Sequence, residues 1–348
     1  MQFLVVNLDA SMPGGLSTYA QNLCGLDPKF KFKFYSVFGR KLINSRMNYA
    51  SLFNCTVVSY SFLAKILLYI SSFFYLTFYL SGKNIIFIGS TPASLSLGAI
   101  IINRLLNRRV IWTVHLPLSS EHKVKQILVR FCATLGVEFV VLNARAQSDY
   151  QEFSNNVTTI PNYSKYDIIH REEAAVKKLR CLTIGRFTHQ KGYPENIDLL
   201  IRLSRLENVE SVTVIGEGPF FEMFKNKVDD FGAHNLHLVE APVDVYPFYL
   251  RNDLFLLPSR FEGFPMVLLE ALSLGLVPIA YDCETGPKEI LACDDFLVPL
   301  MDADIFVRKV QGIDGAGLQA MQCKLSLIRA KYTKSGFQSD WRSILNGE

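Results

Sequence analysis

Ser259-Arg-Phe-Glu-Gly-Phe-Pro-Met-Val-Leu-Leu-Glu-Ala-Leu-Ser-Leu-Gly275 lies between two apolar runs of strand length, residues 254–257 and 277–280. Pro265 suits the first turn of a helix, where its missing N–H leaves no bond unmade. The helix is predicted to run through Met266, Val267, Leu268 and Leu269 and to end near Gly275. Glu262 then falls on the loop before the helix, at the positive end of its dipole, and Glu270 inside the helix more than a turn further on. Between the two carboxylates stand the free backbone N–H groups of the loop and first turn. Carboxylates accept from hydroxyls and a helix end holds an anion, so the stretch suits a ligand carrying several hydroxyls and a phosphate. The alternative on spacing alone is an ordinary βαβ crossover with solvated glutamates.

Around this unit the chain has 348 residues, a length that suggests about two domains, each with its own core. Hydrophobic residues make up 49% and charged residues 20%, the balance of a globular protein. The net charge is only +4 and the basic residues are scattered, so nucleic acid is not an expected partner. Seven cysteines, an odd number with no C-x-x-C pair, point to reduced thiols and a cytoplasmic chain. Met1-Gln-Phe-Leu-Val-Val-Asn7 lacks the basic region and cleavage site of a signal peptide and reads as a first strand.

Working outward, strands alternate with helices on both sides of a polar segment. Residues 3–6 form a strand, Asp9 to Gly15 a glycine loop, and Leu16, Tyr19, Ala20 and Leu23 recur at helical spacing. Strands are expected at 31–37, 84–88, 110–114, 138–142 and 157–160, with helices at 93–106, 124–135 and 144–153. A polar, variable-looking stretch fills the chain up to Asn54. Residues 162–178 are polar and charged and read as a linker. Beyond them strands are expected at 179–184, 212–215, 236–239 and 254–257, with helices at 195–205, 219–230 and 246–251. The fold class is therefore α/β, with two Rossmann-like parallel-sheet domains facing across a cleft. The domains are read as 1–165, 166–335 and a closing helix at 336–348.

Residues 66–80 form an apolar run of fifteen. That is short of the ~20 needed to span a bilayer, and Ser71, Ser72 and Thr77 interrupt it. It is either a buried helix of the first domain or a helix resting its aromatic face on a membrane surface, with Lys65 and Lys83 at its ends.

Ligands in such sheets bind beyond the carboxyl ends of the strands. Gly185-Arg-Phe-Thr-His-Gln-Lys-Gly192 occupies such an end, and Arg186 and Lys191 put a fork and a point charge where a diphosphate needs them. A solvated basic loop is the plainer reading. Gly216 in Val214-Ile-Gly-Glu-Gly218 marks a close-approach turn, short of a dinucleotide fingerprint. His115 follows the 110–114 strand and is a general base, a donor to an oxygen, or a satisfied core histidine. No metal-ligand spacing and no Asp-x-Asp pair is present, so no metal or other cofactor is expected.

Taken in order, these pieces resemble the retaining glycosyltransferases of family 4, which have the GT-B architecture. The matches are Pro13-Gly14-Gly15, His115, Ile160-Pro161-Asn162, Gly185-Arg186 with Lys191-Gly192, and Glu262-Gly-Phe-Pro265 with Glu270; Gly286-Pro-Lys-Glu-Ile290 trails them. The resemblance implies a nucleoside-diphosphate sugar donor, UDP-linked by preference, and transfer of a hexose or N-acetylhexosamine to a glycan acceptor. Lipopolysaccharide, O-antigen or capsule is the expected product, with peripheral membrane contact where the acceptor is lipid-linked. It also implies the roles. Arg186 and Lys191 bind the diphosphate, Glu270 the ribose, and Glu262 with the amides of Gly263, Phe264 and Pro265 the transferred sugar. Gly14 and Gly15 approach the phosphates and His115 lies beside the reacting centre. Glu240 to Pro242 stands where the family holds the base, with Glu-Ala-Pro in place of a glycine turn. Phe337 to Leu345, with Trp341, is the segment that crosses back to the first domain in this family. An epimerase or hydrolase on the same fold, or a silent sugar-nucleotide-binding protein, are the competing readings.

Overall fold

A computed structural model of the chain describes residues 2–9, 15–24, 26, 30–38, 49–53, 73–74, 77–89, 93–116, 118–171, 177–242, 244–283 and 285–347. They divide into two compact units, Met1–Asn162 with Ser335–Glu348, and Tyr163–Lys334.

In the first unit the order is β1 (Gln2–Asp9), α1 (Gly15–Cys24), β2 (Lys31–Phe38), β3 (Tyr49–Phe53), β4 (Asn84–Ile88), α2 (Ala93–Leu105) and β5 (Val110–Val114). Then come α3 (Lys123–Thr134), β6 (Glu138–Val141), α4 (Ala144–Gln151) and β7 (Val157–Thr159). The seven strands pair in the order β3-β2-β1-β4-β5-β6-β7, all parallel. Ile85 to Ile88 and Val110 to Thr113 are buried along their whole length, which is why they read as unbroken apolar runs. The topological switch falls between β1 and β4, beside the start of α1. Of the stretch up to Asn54, residues 49–53 form an edge strand that the sequence pattern did not announce.

In the second unit β8 (Leu179–Ile184), α5 (Asn196–Ser204), β9 (Val209–Gly216), α6 (Phe221–Asp230), β10 (Leu236–Glu240), α7 (Tyr246–Arg251) and β11 (Leu254–Leu257) lead to α8 (Met266–Ser273) and β12 (Val277–Tyr281). α9 (Pro287–Leu291), β13 (Leu297–Val298), α10 (Ala303–Gln311) and α11 (Gly315–Arg329) follow. Six parallel strands pair as β10-β9-β8-β11-β12-β13. α12 (Lys334–Asn346) closes the chain. Its Phe337 and Trp341 pack edge-on against Tyr19 of α1, ring centroids 5.7 and 6.4 Å apart.

Two local expectations change. Pro265 is the residue before α8 rather than its first turn: its φ of −70° is helical but its ψ of 105° is extended. The segment read as a linker is docked over its described part, residues 163–171. Ile169 N–H donates to Ser273 O at 2.9 Å, and the Arg171 guanidinium donates to Leu274 O at 2.9 Å, to Tyr249 O at 2.6 Å and to Asn252 O. Helix ends leave carbonyls without partners, and one arginine satisfies three of them here.

Candidate functional site

The site is built on α8 and the loops after β8 and β12. β8 ends at Ile184, and Gly185 begins a loop that closes with a 3₁₀ turn, His189–Lys191, capped by Gly192 at φ 83°. A side chain at Gly185 would stand 3.4 Å from Lys191 Cδ and Cε, so the glycine leaves the lysine stem room to lie across the backbone. Gln190 O accepts from Arg260 N–H at 3.0 Å, and Asn196 Nδ2 donates to Lys191 O at 2.8 Å and Pro258 O at 2.6 Å. The cationic loop and the Ser259–Pro265 loop are thereby fixed to one another.

That attachment brings Lys191 Nζ to 2.5 Å from Glu262 Oε1. Glu262 is 4% exposed, and only 17% of the lysine side chain reaches solvent, so this is a charge pair shielded from water. The Glu262 backbone is braced in turn. Thr285 Oγ1 donates to Glu262 O, and Gly286, at φ 83°, lies so close that a Cβ would stand 2.9 Å from Pro265 Cδ and 3.1 Å from Glu262 Cβ. Beneath the loop Cys283 Sγ donates to Ser259 O at 2.9 Å, and burial pushes that thiol up to about 12.

Glu270 is 6% exposed and has its own partners: Tyr249 Oη donates to Oε2 at 2.9 Å, and Lys165 Nζ lies 3.7 Å from Oε1. Burial raises the Glu270 carboxyl above its usual range, while Lys165 and the tyrosine hydroxyl oppose the shift. Neither partner was expected. Tyr249 is hidden inside a short helix, and Lys165 falls in the polar segment read as a linker. Tyr166 next to it packs against Tyr246 and Tyr249, ring centroids 5.0 and 6.1 Å away, and this seats the lysine.

The second unit thus brings together Lys191, Glu262, Gly263, Phe264 and Pro265, with Glu270 further along α8. Phe264 packs on Tyr332 at 5.9 Å. Arg186 is exposed on the same loop as Lys191, and its side chain makes no ion pair among the described residues. Gly216 has a packing reason of its own, since a Cβ there would run into Gly185 O and stand 2.9 Å from Phe187. In the first unit Gly14 lies outside the described residues, and Gly15 is the first residue of α1. His115 follows β5, its ring 4.7 Å from that of Tyr19 and its Nε2 3.4 Å from Thr113 Oγ1. A separate cavity of about 410 Å³ in the first unit holds none of these residues; Arg104, Arg109, Glu138 and Thr158 line it. No group of three metal-ligating side chains occurs among the described residues.

An anion-ready loop, one buried carboxylate before α8 and a second within it, and two parallel-sheet α/β units define the class by fold: GT-B. Residues 165–313, all within the second unit, match the family glycosyl transferases group 1. The chain is 26% identical over 271 residues to the amylovoran biosynthesis glycosyltransferase AmsD of Erwinia amylovora, covering 72% of this chain and 75% of that protein. It is 33% identical over 115 residues to the lipopolysaccharide 1,6-galactosyltransferase of Salmonella typhimurium, 32% of each chain. Among solved structures, HepE of Anabaena in complex with UDP and glucose superposes with a TM-score of 0.74 at 13% identity, covering all of both chains. The outer core galactosyltransferase WaaB superposes with a TM-score of 0.72 at 17% identity over 100% of this chain and 99% of that one.

Proposed function

We propose that the protein is a retaining, metal-independent hexosyl- or N-acetylhexosaminyltransferase of family 4. It takes its sugar from a UDP-sugar and passes it to a glycan acceptor in surface-polysaccharide synthesis, on the cytoplasmic side. The observation that carries this reading is the shielded Lys191–Glu262 pair at the amino end of α8. A buried ion pair is a costly way to hold a loop together, but it is a ready exchange point. A diphosphate entering beside α8 replaces Glu262 as the partner of Lys191, and the freed carboxylate accepts from the hydroxyls of the sugar. Arg186, exposed on the same loop, adds a second cation to the leaving group. Glu270 accepts from the ribose, with Tyr249 and Lys165 orienting it. The diphosphate leaves towards Lys191 and Arg186 and the acceptor oxygen attacks from the same face, so no covalent nucleophile is needed. The polysaccharide relatives support the acceptor class, and the UDP-bound neighbour supports the donor class.

The test is release of nucleoside diphosphate from UDP-sugars with and without a glycan acceptor. Acceptor-dependent release is expected, and the anomeric proton coupling of the product should match that of the donor. Lys191→Ala should lower turnover roughly 10²–10³-fold, the scale of losing one preorganised charge contact. Unchanged turnover in that variant overturns the phosphate role, and acceptor-independent release overturns transfer.

A further inference from the structure

The cavity of about 410 Å³ in the first unit has no part in the proposed reaction. It lies at the amino ends of three strands: Arg109 precedes β5, Glu138 opens β6, and Asn155 and Asn156 precede β7. His115 follows the opposite end of β5. Six residues of extended chain separate it from Arg109, roughly 20 Å. The cavity is therefore remote from the carboxyl ends of the strands, where ligands of such sheets react.

Two arginines hold its walls, in different ways. Arg109 Nε donates to Glu138 Oε1 at 2.9 Å and its Nη2 to Oε2, and the same guanidinium donates to Ile344 O at 2.8 Å and Leu345 O at 3.2 Å. Its charge is thus met, and the last turn of α12 is fixed beside the cavity. Arg104 Nε donates to Leu135 O at 2.8 Å and Nη1 to Arg108 O at 3.3 Å, while Nη2 makes no hydrogen bond or ion pair among the described residues. Nη2 lies against Gly136, at φ 77°, where a Cβ would stand 2.8 Å from it. Of the acids nearby in the chain, Glu138 belongs to Arg109, Glu152 pairs with Arg130, and Glu348 lies outside the described residues. Two arginines against one lining glutamate leave a single positive charge on the described wall.

Beside that charge stand Asn155, Asn156 and Thr158, exposed, with side chains that bond to no other described residue. Carboxamides and a hydroxyl both donate and accept, which matches the hydroxyls of a sugar. Phe139, the aromatic residue of the lining, is 1% exposed, so no ring face is offered to a nucleobase. The volume lies in the range that takes a small ligand. We propose that this cavity binds a carboxylate-bearing sugar residue, a uronate of a glycan chain. Arg104 Nη2 donates to the carboxylate, and Asn155, Asn156 and Thr158 bond the hydroxyls. One cation without an acid matches one negative charge, whereas a phosphate ester carries nearly two and would leave part of its charge unmet. The inference stands apart from the donor-site reading, since no residue of that site lines the cavity.

Saturation-transfer NMR on the full chain, with UDP in excess, tests this with methyl glucuronide, methyl glucoside and glucose 1-phosphate as probes. Methyl glucuronide is expected to bind with UDP present, and methyl glucoside ~10-fold or more weakly, the scale of a charge-assisted contact. Arg104→Gln should weaken the glucuronide by the same factor. Because Arg104 also bonds two carbonyls, Asn156→Ala is the second variant. Its exposed side chain supports no other described residue, so urea unfolding should be unchanged while affinity falls about 3- to 10-fold. Lys191→Ala, in the other unit, should bind the glucuronide as the wild type does. Absence of glucuronide binding overturns the proposal, and so does its displacement by UDP, which assigns the signal to the donor site. Equal binding of glucoside and glucuronide, or wild-type affinity in both cavity variants, overturns it as well. Tighter binding of glucose 1-phosphate overturns the uronate and gives the cavity to free sugar phosphates.

Discussion

His115 is held neutral. Its ring is half-buried beside Tyr19, and burial pulls the imidazole down to about 3. A group whose pKa is depressed by folding contributes stability above its unfolded pKa of roughly 6.5, and that contribution is lost as the pH falls towards the folded value. The first unit should therefore weaken by about 1–2 kcal/mol between pH 7 and pH 5 through this residue. Urea unfolding at the two pH values checks this: His115→Asn should flatten the difference, and an unchanged difference removes the burial account. On the proposed reading, any part His115 plays is played by the uncharged imidazole, so turnover should show no inflection from it near pH 6.5. At this scale Lys191, Glu262 and Glu270 were legible because charged residues at strand ends and helix starts stand out against apolar runs. Lys165 and Tyr249 were not, since what makes them partners of Glu270 is packing: Tyr166 between two tyrosines, and α7 lying against α8.

Elements hold the site by what they do to one another's ends. Arg171 satisfies carbonyls at the carboxyl ends of both α7 and α8, the two helices that carry Tyr249 and Glu270. Arg171→Ala leaves those carbonyls in partly buried surroundings, where each unsatisfied group costs about 1–3 kcal/mol less whatever water supplies. A loss of about 3 kcal/mol in the unfolding of the second unit is expected, measured in urea. Because Glu270 loses its fixed placement, the KM for donor should rise more than kcat falls. A variant that unfolds as readily as the wild type removes this role. The periodicity of apolar residues made most helices and central strands legible. It did not reveal the edge strand Tyr49–Phe53, where partners on one side only relax the demand for a continuous apolar run.

Over the whole molecule, the end of the chain belongs with its beginning: Ser335–Glu348 falls in the first unit, where Trp341 is fully buried against Tyr19. Trp341→Ala should lower the stability of the first unit by about 3–5 kcal/mol, the range for deleting a buried aromatic. The unfolding of the second unit should be left in place, so the two transitions separate in a denaturant titration; a uniform loss across both contradicts the division. By itself the sequence determined the βαβ alternation, two parallel-sheet units and the residue types at the carboxyl ends of the second unit's strands. These follow from local periodicity, turn chemistry and the order of charged loops along the chain. Only the tertiary structure decided who neutralises whom at Ser259–Gly275. Lys191 reaches Glu262 across 71 residues of sequence, and Tyr249 and Lys165 meet Glu270 from two further segments. Such pairings depend on how loops and helices pack, which no spacing along one stretch encodes.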